Sequence, residues 1–195
     1  MRRLRPGPAP RPRLARGTQG PKIGGPEAAV DRSLRSLVHF AAMDVRLATA
    51  SDLGHLVAAY MTNVNPSRRE AERFARLHNG FERALIAEEG GIVLAGITWG
   101  VRDDPRNGLA QITGLAVSER ARRRGLGTLL TLLALEDMDV VIRARGGQLR
   151  RTFVLADQGD LAVRRLWEKL GFKGSVTLAD HVRAGRTEIM YVRAT

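Results

Sequence analysis

The chain has 195 residues, 44% of them hydrophobic, with 32 Lys and Arg against 20 Asp and Glu, a formal charge of +12. That length suits one domain of ordinary size and not two full ones, and no stretch approaches the roughly 18 apolar residues a membrane-spanning helix requires, so an integral membrane protein is excluded. Cysteine is absent, which excludes disulfide frameworks, thiol nucleophiles and Cys-ligated zinc; a cytoplasmic protein is expected.

The first segment reads apart from the rest. Residues 1–42 hold eight Arg and Lys22 against Glu27 and Asp31, so +7 of the charge lies there. The run MRRLRPGPAPRPRLARGTQGPKIGGPEAA is rich in Arg, Pro and Gly and has almost no apolar periodicity. Proline removes backbone donors and glycine raises the entropy cost of ordering, so this stretch cannot bury enough surface to fold alone. No apolar core of seven or more residues follows the arginines, as a secretory signal requires. Three readings stand: a disordered tail, a basic arm for RNA or another polyanion, and sequence translated upstream of the true start. Met43, followed by DVRLATASDL, favours the last. Elsewhere nucleic acid is not expected. Aromatics are 5% of the chain and are not interleaved with basic residues. Only Lys22, Lys169 and Lys173 are lysine, a bias a GC-rich genome explains.

From Met43 onward one domain, 43–195, is expected. Asp44–Ala48 reads as a short strand. Thr49 or Ser51 can cap a helix on which Leu53, Leu56, Val57 and Tyr60 recur at helical spacing. Asn65-Pro66-Ser67 breaks it. Residues 67–79 form a charged helix with Phe74 and Leu77 inward. Arg83–Glu88 and Ile92–Val101 are strands joined by Glu89-Gly90-Gly91. After the polar turn Asp103–Gly108 comes a third strand, Leu109–Val117, completing an antiparallel meander. From Gly125 the period becomes helical through Ile142, with Asp139 and Arg143 spaced for an ion pair and Gly146-Gly147 as the stop. Thr152–Ala156 is a strand. Asp160 caps a helix bearing Val163, Leu166, Trp167 and Leu170 on one face, ended by Gly171 with Phe172 beside it. Val176–Leu178 and Thr187–Val192 close the domain.

The most informative window runs from Gln111 to Thr128. A buried strand ends at Leu115-Ala116-Val117, a basic turn follows (Arg122, Arg123, Arg124, Gly125), and a leucine-rich helix opens with Leu126-Gly127-Thr128. A helix N-terminus exposes unpaired N–H groups and attracts anions, and glycine lets backbone approach a ligand. The turn therefore suits a pyrophosphate. A plain strand-to-helix turn with a solvated basic face fits the pattern equally. A Walker loop is excluded because no Gly-Lys-Ser/Thr is present. The dinucleotide fingerprint would require a third glycine where Leu130 stands.

Arg122-Arg-Arg-Gly125-Leu-Gly127 resembles the Arg/Gln-x-x-Gly-x-Gly/Ala signature of the GCN5-related N-acetyltransferase superfamily. Ala162-Val-Arg-Arg-Leu166-Trp167-Glu-Lys-Leu170-Gly171-Phe172 resembles its second signature, and the likeness extends over roughly 43–193. The resemblance implies an α/β fold with a mixed, mostly antiparallel central sheet, flanking helices and splayed central strands. It also implies acetyl-CoA as co-substrate, direct transfer to an amine-bearing acceptor, and no metal. Leu115, Ala116 and Val117 would pair with pantetheine. Residues 122–128 and Asp160 would lie against the cofactor. A homodimer is compatible with it.

Two positions depart from the family pattern. Trp167 stands where many members have the tyrosine that protonates the leaving thiolate, and an indole cannot do that. Gln111 stands where histone-type members carry a glutamate base. Tyr191 and Tyr60 are the remaining candidates for the acid. Asp103, Asp104 and Glu88 are those for the base. A non-catalytic acetyl-CoA-binding regulatory module is the alternative these departures raise.

Overall fold

The computed structural model describes residues 43–63, 67–81, 83–181 and 184–195. The expectations for residues 1–42, for the Asn65-Pro66 break and for the inward faces of Phe74 and Leu77 lie outside the described residues and side chains. Among the described residues seven strands form one sheet: β1 (Asp44–Leu47), β2 (Arg83–Glu89), β3 (Ile92–Arg102), β4 (Leu109–Val117), β5 (Arg151–Asp157), β6 (Lys173–Ala179) and β7 (Thr187–Ala194). Their spatial order is β1-β2-β3-β4-β5-β7-β6, and every neighbouring pair is antiparallel except β4 with β5. Among the described residues four α-helices flank it: α1 (Leu53–Asn63), α2 (Arg68–Phe81), α3 (Leu126–Ala144) and α4 (Leu161–Lys169). This is the mixed, mostly antiparallel α/β architecture expected.

Local chemistry sets the helix ends. Thr49 precedes a short 3-10 turn and α1; its N–H and hydroxyl both donate to Asp52 Oδ2, at 2.7 and 2.9 Å. Gly146 (φ +79) stops α3, and Gly171 (φ +83) stops α4. At the second stop Gly171 donates to Glu168 O and Phe172 to Trp167 O, the paired bonds of a Schellman end. The Phe172 ring then meets Trp167 edge-on, with centroids 5.4 Å apart. Asp160 caps α4, its Oδ1 accepting from Val163 N at 3.0 Å. Strand β6 begins at Lys173, three residues before the expected Val176. A one-residue bulge between Gly174 and Val176 keeps it in register with β7.

Side chains alternate across the strands, so two anchors assign the faces. Arg83 of β2 donates two hydrogen bonds, at 2.7 and 2.9 Å, to the fully buried Asp137 of α3. Thr152 of β5 touches Met138 of the same helix. Leu85, Ile97, Trp99, Ile112 and Val154, in phase with these anchors, form the core beneath α3. The opposite face is covered by α1, which leaves a cavity of about 220 Å³ between His55, Leu56 and Ala58 and the strand residues Ile86, Gly96 and Ala116. Among the described residues no helix is long and apolar enough to cross a membrane.

Candidate functional site: a split between two parallel strands

Strands β4 and β5 pair over four positions only, from Leu109 with Arg151 to Ile112 with Val154. Beyond that they part. The cause lies in β4, where Thr98 pairs with Gly114 but Trp99 with Ile112, so Thr113 is an extra residue. A bulge of this kind bends the strand and increases its twist. The Thr113 hydroxyl is bonded to that of Thr98 at 2.9 Å. The closed end is fixed tightly. Gly108 O accepts from the N–H groups of Arg150 (2.8 Å) and Arg151 (3.1 Å). Gly108 sits at φ +65, and a Cβ there would fall 2.0 Å from Gln148 O. Only glycine allows the two strands to start this close.

The open end exposes unpaired backbone. Ser118 donates its N–H to Leu94 O on the β3 side, so alternation turns the N–H and C=O groups of Leu115 and Val117 into the gap. The Arg122 Nε, 3.4 Å from Val117 O, approaches from that side. Immediately after β4 the chain makes a 3-10 turn, Glu119–Ala121, and then visits left-handed backbone at Arg123 (φ +62) and Gly125 (φ +82). Gly125 is the N-cap of α3 and brings no side-chain acceptor. Among the described residues no backbone carbonyl accepts from the N–H groups of residues 126–128. Unpaired N–H groups at the positive end of a 19-residue helix favour negative charge beside them.

The two signature glycines have different reasons. Gly125 has open space around its missing side chain and is required by its positive φ. At Gly127 a Cβ would lie 3.2 Å from Leu166 Cδ2 and 3.7 Å from Leu115 Cδ2. That glycine seats α3 against α4 and β4. The three arginines also divide. Arg124 donates to Glu89 at 2.9 Å, and this guanidinium holds the Glu89 carboxyl below its ordinary range. Arg122 stands 3.7 Å from Glu119, while Arg123 is exposed.

The candidates for acid and base are scattered. Tyr191 is buried, accepting from Arg164 Nε and donating to Glu168 Oε1, both at 3.1 Å, so α4 holds its hydroxyl. Tyr60 is half-buried on α1. Asp103 accepts from Asn107 Nδ2 at 2.8 Å, and Asp104 caps the 105–107 turn. The Arg106 guanidinium, and then its N–H, hold the Asp104 carboxyl at about 2. Glu88 accepts from Arg46 at 2.9 Å. The Gln111 carbonyl accepts from Arg102 at 2.7 Å, and Trp167 is buried with its indole N–H unpartnered. Glu188, a buried carboxylate on β7, belongs to no motif. Its phase with Met190 and Val192 on an alternating strand was the available signal.

The model of the acetyltransferase (GNAT) family matches residues 50–172, and the chain belongs to that family. Its fold is that of many solved members. NAA60 from Arabidopsis thaliana, solved with a bisubstrate analogue, is 18% identical with a TM-score of 0.64, covering 78% of this chain and 97% of that one. A GCN5-related N-acetyltransferase from Kribbella flavida is 19% identical at TM-score 0.63, covering 79% and 98%. The ribosomal-protein-S18-alanine N-acetyltransferase of Escherichia coli is 17% identical at TM-score 0.61, covering 78% and 93%. No curated protein matches the chain.

Proposed function

We propose that the chain is an N-acetyltransferase that moves an acetyl group from acetyl-CoA directly to an amine. The observation that carries this is the β4–β5 split ending beside the unpaired N–H groups of 126–128. The pyrophosphate fits those N–H groups and the Thr128 hydroxyl. The amides of pantetheine fit the free edge of β4 at Leu115–Val117, as an added strand pairs with an open sheet edge. A backbone N–H near Val117 then polarises the thioester carbonyl and stabilises the oxyanion as a neutral amine attacks. Asp160, the N-cap of α4, completes the proposed cofactor contacts. Thiol release from acetyl-CoA, measured against a panel of primary amines, tests this. Release dependent on at least one amine is expected, and no release on any amine contradicts it.

One group of observations favours a second reading, a module that binds acetyl-CoA without transferring from it. Trp167 fills the motif tyrosine's place, the Tyr191 hydroxyl is held by Arg164 and Glu168, and the Gln111 amide is held by Arg102. Binding of acetyl-CoA with no thiol release would select it.

A further inference from the structure

The cavity under α1 has a floor almost without side chains. On β3 and β4 the pairs Thr98 with Gly114, Ile97 with Leu115 and Gly96 with Ala116 run in unbroken register. Ile97 packs beneath α3, and Leu115 Cδ2 lies where a Cβ on Gly127 of that helix would meet it at 3.7 Å. Alternation therefore turns Gly96, Gly114 and Ala116 to the face under α1. All three sit mid-sheet, yet all three are only half-buried. Gly114 has a local reason, since a Cβ there would fall 2.9 Å from Thr98 Oγ1. Gly96 has none. Its φ is not positive, and a Cβ would meet only Ile86 Cγ2 and Leu85 O, both at an ordinary contact distance of 3.6 Å. A glycine inside a strand weakens it and marks a place where something approaches the backbone closely.

That floor joins the cavity to the split. Ala116 and Ser118 line the cavity and flank Val117, whose N–H faces the gap. In the acetyl-transfer reading, on which this inference rests, an N–H near Val117 holds the thioester carbonyl. The acyl carbon then lies beside Ala116, and only a methyl group separates it from the space over Gly96. Most of the remaining lining is apolar, with Leu56, Ile86, Val93 and Leu94 around the floor and His55 exposed at the rim. We infer that this cavity receives the acyl chain of the donor, and that the protein takes medium-chain acyl-CoA as well as acetyl-CoA. An apolar cavity of about 150 Å³ takes up benzene, so about 220 Å³ has room for an unbranched chain of about six carbons. Such a chain fits because it is apolar beyond its carbonyl, and that carbonyl is already held at the split. The reaction is unchanged in kind: the amine nitrogen bonds to the acyl carbon, the C–S bond breaks, and the proton the amine loses leaves with the thiol.

Calorimetric titration of the full chain with acetyl-CoA and with hexanoyl-CoA tests this without relying on turnover. Each methylene buried should add about threefold in affinity, so hexanoyl-CoA should bind at least about tenfold tighter than acetyl-CoA. Gly96→Leu fills the cavity from its floor and should abolish that difference, while acetyl-CoA affinity changes by less than about threefold. Gly96→Ala, whose methyl group meets its neighbours at ordinary distances, should fold as wild type does and cut the hexanoyl advantage about threefold. It decides the matter if the leucine variant does not fold. Equal wild-type affinity for the two thioesters, or a hexanoyl advantage unchanged in the Gly96 variants, would overturn the inference and leave acetyl transfer standing. A Gly96→Leu that raises the KM of bulky apolar amines and keeps the hexanoyl advantage would assign the cavity to the acceptor and overturn it too. Wild-type binding of neither thioester would remove the transfer reading, and this inference with it.

Discussion

Asp52 ties the first strand to the first helix through one carboxyl that accepts from Arg46, Thr49 N–H and the Thr49 hydroxyl. The Arg46 guanidinium, foremost, and the Thr49 bonds hold that carboxyl well below the usual carboxylate range, against the opposing effect of burial. A folded-state pKa below the unfolded one contributes stability that is complete above the unfolded value of about 4 and fades as pH falls toward the folded one. Asp52→Asn should therefore cost about 2 kcal/mol at pH 7, the deficit shrinking below roughly pH 4. Thermal unfolding from pH 3 to 7 measures it. A deficit that grows on acidification would contradict the assignment. At the turn before α3 backbone matters more than charge, since Arg124 is engaged by Glu89 while Gly125 requires positive φ. Arg124→Ala should weaken acetyl-CoA by less than about threefold. Gly125→Val should weaken it by tenfold or more, because a branched side chain is strained there and disturbs the N–H row. Titration of both variants decides it, and the reverse order would overturn the account of this turn.

The element that positions the site is the β4–β5 wedge, closed at Gly108 and opened by the Thr113 bulge. Gly108→Ala would push a methyl group into Gln148 O and hold alanine at φ +65. It should cost about 3 kcal/mol, a fall in Tm of roughly 10 °C, which a thermal melt measures. A Tm within two degrees of wild type would show that the closed end is not pinned there. Much of the element order was legible because its signals are local. Gly171 and Phe172 announce a helix stop, Asp160 announces a cap, and the leucines after Gly125 show a helical period. The wedge was not legible from residue pattern alone. It depends on pairing between residues about forty positions apart and on one extra residue in β4, which no local periodicity records. The resemblance to a family supplied it instead. Arg83 with Asp137 was hidden for the same reason, their partnership spanning 54 positions.

At the scale of the molecule, the domain places a free strand edge, a split and a helix N-terminus at one end of a continuous sheet, with α1 covering the face opposite α3. The formal charge of +12 is a poor guide to this arrangement. Of the three signature arginines, one is paired with Glu89 and another lies near Glu119, so the proposed pyrophosphate contacts fall to backbone N–H groups. The candidate site was legible where it is made of backbone, at 115–117 and 122–128, since glycines and strand-to-helix transitions leave a sequence trace. The acid and base were not. Tyr191, Asp104 and Glu88 each look available in the sequence, yet each is engaged by a partner that the fold brings to it. Glu188, buried with only Arg186 near it at 3.7 Å, has no motif to mark it. The most direct test of the central claim is calorimetric titration of the full chain with acetyl-CoA. One site per chain, with affinity lost in Gly125→Val and kept in Arg124→Ala, is the predicted result; no binding by the wild-type chain would contradict it.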